Sequence, residues 1–360
     1  MELSLCMIVK DEEERLGRCL DSVKDAVDEI VILDTGSSDG TKAVARRYTD
    51  RVYDYAWKDD FADARNASFS YACKPFILWL DADDVLDPDE AKKLAALKAR
   101  LDSSVDAVML PYAYAYGPDG RPSLLFERER IVRRAAGFAF SGVVHEAMAV
   151  GGHVLHEDIV VRHTGQHGEK SNRRNLSIYE TWLSRGRELS ARDWYYYARE
   201  LKSAGETEKA EAAFAAFLGM DGWAVNRVDA HILRGECLME LGHGQEAKRS
   251  FFAAMEHGAP RAEALCALGA CFLQEEDLHA AAHWYRAALL CELPGVNCAF
   301  TFPDAYGYIP LMQLCVILSR LGDDVEASKM NEQALLLRPN DPAALSNRAY
   351  FSARLAAKKD

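Results

Sequence analysis

The chain has 360 residues, 49% of them hydrophobic and 28% charged, the make-up of a folded protein long enough for two or three domains. Its net charge of −13 argues against a nucleic-acid binder built on phosphate contacts. The apolar runs, such as 75–80, are far too short to cross a bilayer, and Met1-Glu2-Leu3-Ser4 leads into a strand-like segment rather than a signal peptide. A cytoplasmic protein with no integral membrane segment is expected. The nine cysteines include no Cys-x-x-Cys and mostly sit in apolar helical patterns, which reads as reduced core thiols and gives a zinc site no support.

Along the first 163 residues, short β-rich runs (3–9, 29–33, 51–55, 76–80 and 105–110) alternate with helix-compatible segments at 11–24, 39–48, 61–73 and 88–101. Apolar strands alternating with helices predict βαβ units and a mainly parallel sheet. After Tyr112 the rhythm changes: Gly117-Pro118-Asp119-Gly120 is a strong turn signal, and short β-like pieces follow up to Val161. From about Asn172 alanine-rich amphipathic helices take over.

In that second half a Gly-x-x-x-x-Ala turn recurs as Gly205…Ala210, Gly242…Ala247 and Gly322…Ala327, with Glu276…Ala281 as a copy lacking the glycine. The spacings are 37, 34 and 46 residues, and the surplus in the last fits a helix-breaking insertion near 291–304 that contains Pro294, Gly295 and Asn297. A period near 34 with a small residue between paired helices resembles the tetratricopeptide repeat. Such repeats stack and leave a concave surface suited to a peptide or to a second copy of the chain.

The segment Phe76-Ile77-Leu78-Trp79-Leu80-Asp81-Ala82-Asp83-Asp84 is an apolar strand ending in carboxylates. They fall at the carboxyl edge where open α/β sheets bind ligands. In an extended chain Asp81 and Asp83 point the same way, an arrangement that suits a hard divalent cation gripping a diphosphate. Val85 and Leu86 exclude an EF-hand, whereas capping of a helix starting at Asp87-Pro88 would use the same aspartates. A second strand ends in Asp34-Thr35-Gly36-Ser37-Ser38-Asp39-Gly40-Thr41, where a carboxylate can accept from a nucleobase N–H and small residues let a ligand reach the backbone. Acid–Thr–Gly–Ser turns are also common helix caps.

Together with Cys6-Met7-Ile8-Val9-Lys10-Asp11-Glu12-Glu13 and Asp60-Phe61-Ala62-Asp63-Ala64-Arg65-Asn66, these motifs resemble family 2 glycosyltransferases in order and spacing over about 1–165. The resemblance implies a GT-A fold, a nucleotide-sugar donor, a divalent metal (Mg2+ or Mn2+) and inversion at the anomeric carbon. Combined with C-terminal repeats, and with Gly307-Tyr308-Ile309-Pro310 after the insertion, the chain resembles the sublancin-type peptide S-glycosyltransferases.

Carried over by motif, Asp34 would bind the uracil edge, with Val9, Lys10 and Asp11 beside the base. Arg65 would face the diphosphate, Asp81 the ribose and Asp83 the metal. Ser141-Gly142-Val143-Val144-His145-Glu146 resembles the His-Glu signature of this subgroup, and Val160-Val161-Arg162-His163-Thr164-Gly165 its later histidine segment. An inverting displacement needs a base for the acceptor proton and a cation for the leaving diphosphate; Glu146 is the candidate base and His163 the candidate metal or diphosphate contact. As buried core or surface residues both would have an ordinary structural use.

The expected organisation is an α/β GT-A domain over 1–170, a helical linker over 171–190 and all-α tetratricopeptide-like repeats over 191–360. The expected function is transfer of a sugar from a UDP-sugar to a cysteine thiol or a serine or threonine hydroxyl of a peptide or protein docked on the repeats. Transfer to a cell-surface glycan or lipid intermediate is a second possibility, and a repeat scaffold with an inactive transferase domain a third.

Overall fold

Leu3, Leu5, Met7 and Val9 on one side of the first strand, and Ser4 and Cys6 on the other, are all buried. A strand covered on both faces is the mark of a parallel α/β sheet. The computed structural model describes residues 1–116, 122–165, 169–293 and 301–357. The turn expected at 117–120 and residues 294–300 of the expected insertion lie outside them. The chain divides into two compact units, Met1–Asp193 and Trp194–Asp360.

The first unit runs β1 (Leu3–Val9), α1 (Leu16–Val23), β2 (Glu29–Asp34), α2 (Thr41–Ala45), β3 (Val52–Asp54), α3 (Phe61–Ser70), β4 (Phe76–Trp79), β5 (Asp84–Leu86) and α4 (Pro88–Arg100). It continues with β6 (Ala107–Tyr116), β7 (Pro122–Arg133), β8 (Phe140–Ser141), β9 (Ala147–Met148), β10 (Val154–His156), β11 (Val161–His163) and α5 (Glu169–Ser184). The main sheet has the order β3-β2-β1-β4-β7-β6-β11-β5, with β10 beside β6. Strands β3, β2, β1 and β4 are parallel, whereas β7 is antiparallel to both of its neighbours.

The sheet is thus mixed, with the anticipated parallel half built from the four runs that alternate with helices. The region after Tyr112, which reads as short pieces, instead completes, with the run expected at 105–110, the long antiparallel pair β6–β7. Its register slips where Val108 faces Ile131 but Met109 faces Glu129, leaving Arg130 as the extra residue of a bulge. Helix α5 falls in the span expected to link the two halves but belongs to the first unit. Its Tyr179 hydroxyl donates to the Val144 carbonyl at 3.2 Å, and its Trp182 indole donates to the Asp59 carbonyl at 3.1 Å.

Beyond α6 (Ala191–Ser203), which contains the division between units, come α7 (Thr207–Leu218), α8 (Ala224–Glu240), α9 (Gly244–Ala254), α10 (Ala262–Gln274), α11 (Leu278–Ala288), α12 (Tyr308–Arg320), α13 (Asp324–Leu337) and α14 (Pro342–Ala356). Helix α8 packs on α9, α10 on α11 and α12 on α13. The repeated turn has one geometry: Gly205, Gly242 and Gly322 have φ of 77°, 80° and 87°, and Glu276 adopts 61°. The alanines of the motif, Ala210, Ala247, Ala281 and Ala327, are fully buried. No described helix is long and apolar enough to cross a membrane.

Candidate active site

The parallel strands present their carboxyl ends to one edge, and Asp34 is the last residue of β2. One of its oxygens, Oδ1, accepts from the amides of Gly36 and Ser37 at 3.0 and 2.9 Å. The other, Oδ2, is buried and has no hydrogen-bond partner. A buried carboxylate oxygen left unpaired is costly, so a site that keeps one points to a ligand donor. Val9 lies opposite Asp34 in the β1–β2 register, and its carbonyl accepts from Thr35. Lys10 is exposed. Asp11, with φ of 54°, is locked onto the loop: its amide donates to Ser37 Oγ at 2.9 Å, and its carboxylate accepts from the Ser38 amide at 2.7 Å. The 9–11 and 34–38 segments therefore form one braced ledge.

Next to it, β4 ends at Trp79 and the chain turns through Asp81. Helix α3, capped by Asp60 accepting from the Asp63 amide, holds Arg65 against this turn. The Arg65 guanidinium is buried, with Nη2 at 2.6 Å from Asp81 Oδ1 and Nε at 2.5 Å from Glu146 Oε1. Burial pushes the Asp81 carboxyl up, but the Arg65 and Arg130 guanidinium groups outweigh it and hold the group at about 2. Arg65, expected to face a diphosphate, thus has two N–H groups engaged by carboxylates. In this geometry it pairs with both Asp81 and Glu146.

The Trp79 ring carries three guanidinium groups, those of Arg65, Arg128 and Arg130, at 4.6, 4.9 and 4.1 Å from its centroid. Their mutual repulsion is offset by Asp81, Glu146, Glu129 and Asp84. Arg130 is completely buried and pairs with the equally buried Asp84, Nη1 to Oδ2, at 3.0 Å. Arg128, Arg130, Asp84 and Tyr112 are site residues that sequence reasoning did not pick out. Arg130 is the extra residue of the β6–β7 bulge, and both it and Glu129 are buried.

Asp83 and His163 come together because β11 pairs antiparallel with β5, placing His163 opposite Asp84. Asp83 Oδ1 lies 3.5 Å from His163 Nδ1. Burial pushes the imidazole down, but hydrogen bonds to Asp83 and Asp84 prevail and raise it to about 9. Asp83, Asp84 and His163 each offer a ligand atom within 4.8 Å of the others. A Cβ on Gly165 would lie 2.1 Å from Asp83 Oδ2 and 2.8 Å from His163 Nε2, so glycine leaves clear the space that these two atoms share. A carboxylate and an imidazole flanking an open cradle fit a divalent cation such as Mn2+.

In open α/β sheets ligands bind outside the carboxyl ends of the parallel strands, where these acidic residues gather. Residues 4–149 match the model of Glycosyl transferase family 2. The SPbeta prophage-derived glycosyltransferase SunS of Bacillus subtilis is 31% identical over 217 residues, 57% of this chain and 50% of SunS. The lipopolysaccharide core biosynthesis glycosyltransferase LpsC of Rhizobium meliloti is 32% identical over 164 residues, 43% of this chain and 59% of LpsC. A TPR repeat-containing protein of Synechococcus elongatus is 52% identical over 85 residues, 24% of this chain and 21% of that protein. The chain therefore spans at most 59% of these relatives' own lengths.

Proposed function

We propose that the protein is a metal-dependent, inverting glycosyltransferase that moves a sugar from a UDP-sugar to a side chain of a peptide or protein held by the helical repeats. The observation that carries the donor half is the buried, unpartnered Oδ2 of Asp34 at the strand edge. It suits the imide N–H of a uracil ring, and the Val9–Asp11 ledge flanks it. A divalent cation, where bound, would be held by Asp83 and His163 and would neutralise the leaving diphosphate.

Transfer forms one bond, from the acceptor sulfur or oxygen to the anomeric carbon, and breaks one, from that carbon to the UDP oxygen. The acceptor proton passes to a base, for which Glu146 is the candidate, its carboxylate oriented through Oε1 by Arg65. The peptide acceptor is supported by the stacked helix pairs, whose grooves suit extended or helical chains. The likeness to LpsC favours a second reading, in which the acceptor is a glycan.

The test is intact mass after incubation with a panel of UDP-sugars and Mn2+, using cysteine- and serine-containing peptides in one arm and oligosaccharides in the other. A hexose-sized gain on a peptide, lost in chelator, supports the proposal; gain on oligosaccharides alone supports the second reading. In the same assay Asp34→Asn, which keeps the turn's acceptor oxygen but offers N–H to the base, should weaken UDP binding about 10-fold or more. Unchanged UDP affinity in calorimetry would reduce Asp34 to a loop brace.

A further inference from the structure

The inference concerns how the His163 ring is set, and it rests on the reading that Asp83 and His163 hold a divalent cation. Asp84, although it lies within the acidic cluster, has both oxygens in use. Its Oδ2 takes Arg130 Nη1 at 3.0 Å and the Asp81 amide at 2.9 Å, and its Oδ1 takes the Tyr112 hydroxyl at 2.9 Å. All three side chains, Asp84, Arg130 and Tyr112, are buried. A phenol has one proton. With that proton on Asp84, the Tyr112 oxygen faces His163 Nδ1, 3.0 Å away, as an acceptor. Two more acceptors lie near that nitrogen, Asp83 Oδ1 at 3.5 Å and Asp84 Oδ1 at 3.8 Å. Tyr114 stacks on the imidazole at 5.1 Å and 17°, fixing the ring plane. The opposite nitrogen, Nε2, borders the same space over Gly165 as Asp83 Oδ2.

We propose that Arg130, Asp84 and Tyr112 form a relay that holds the His163 proton on Nδ1 and so presents the Nε2 lone pair, with Asp83 Oδ2, to the cation. Asp84 is on this account a positioning residue and not a ligand. The arrangement follows the general rule that the second nitrogen of a metal-binding imidazole is fixed by an acceptor behind it, whose loss costs 10–100-fold in affinity.

Two measurements on the full chain test it. In wild-type protein carrying 15N-histidine, raised in pH until the ring is neutral, the His163 resonances (assigned by their loss in His163→Gln) should report a protonated Nδ1. Mn2+ binding followed by electron paramagnetic resonance should weaken about 10-fold in Tyr112→Phe. The same substitution should shift the 15N tautomer signature, which a merely structural role for the hydroxyl would leave alone. A protonated Nε2 in the wild type overturns the relay with no variant needed. Wild-type Mn2+ binding that Tyr112→Phe leaves unchanged also overturns the relay but spares the metal reading. No Mn2+ binding by the wild type overturns both.

Discussion

Both units bury acidic groups, but they pair them differently. In the N-terminal unit the partners are buried together: Arg130 and Asp84 both expose 0% of their side chains, and Arg65 and Glu146 expose 8% and 10%. In the repeats Arg261 and Glu263 are likewise buried together, exposing 10% and 7%, but in two further pairs the acid is buried while its arginine reaches water. Asp324 exposes 0% against 45% for Arg354, and Asp229 6% against 25% for Arg199. The second pattern is cheap, because a long side chain covers apolar surface while its head stays partly hydrated. The first carries the desolvation penalty of two ions and is often no more stable than an apolar substitute. Its concentration around Trp79, next to Asp81 and Asp83, marks where the fold gives up stability to hold charges in place.

That contrast can be broken or sharpened by substitution. Arg65→Ala strips the counter-ion from Asp81 and Glu146 at once, and should destabilise the N-terminal unit by about 3–5 kcal/mol. Chemical denaturation of the full chain checks this; a loss below about 1 kcal/mol would mean that water already screens the pair. In the repeats the largest penalties should be steric. Gly235 lies under the Phe251 ring, and a Cβ there would meet it at 2.3 Å. Gly235→Ala should therefore cost about 2–3 kcal/mol while leaving UDP affinity as it is. Reduced UDP affinity in that variant would contradict the separation of donor chemistry from the repeats.

The smallest effect has the opposite sign. Glu276 occupies the left-handed turn position that glycine fills in the other copies, at a cost of roughly 1–2 kcal/mol for a residue with a Cβ. Glu276→Gly should stabilise the repeats by about 1 kcal/mol, less what is lost with its surface ion pair to Arg320. A thermal melt that does not rise would show that the ion pair fully compensates the strain.

What the sequence determined by itself is what depends on near neighbours. The four parallel strands are legible from apolar runs alternating with helices, and Asp34 and Asp81 from their place at the ends of such runs. The repeat turn is legible from one small-residue motif, down to the copy at Glu276, which keeps the conformation without the glycine. Each rests on periodicity or on contacts within a few dozen residues. Tertiary structure alone decided the partners of the charges. Arg65 meets Glu146 from 81 positions away; His163 meets Asp83 and Asp84 because a short strand pairs across the sheet. Arg130 turns inward at a bulge that no pattern announces. In a sequence, an arginine among glutamates is a solvated face. Its burial is set by which distant strand lies opposite, and by whether that strand carries the carboxylate that makes the burial tolerable.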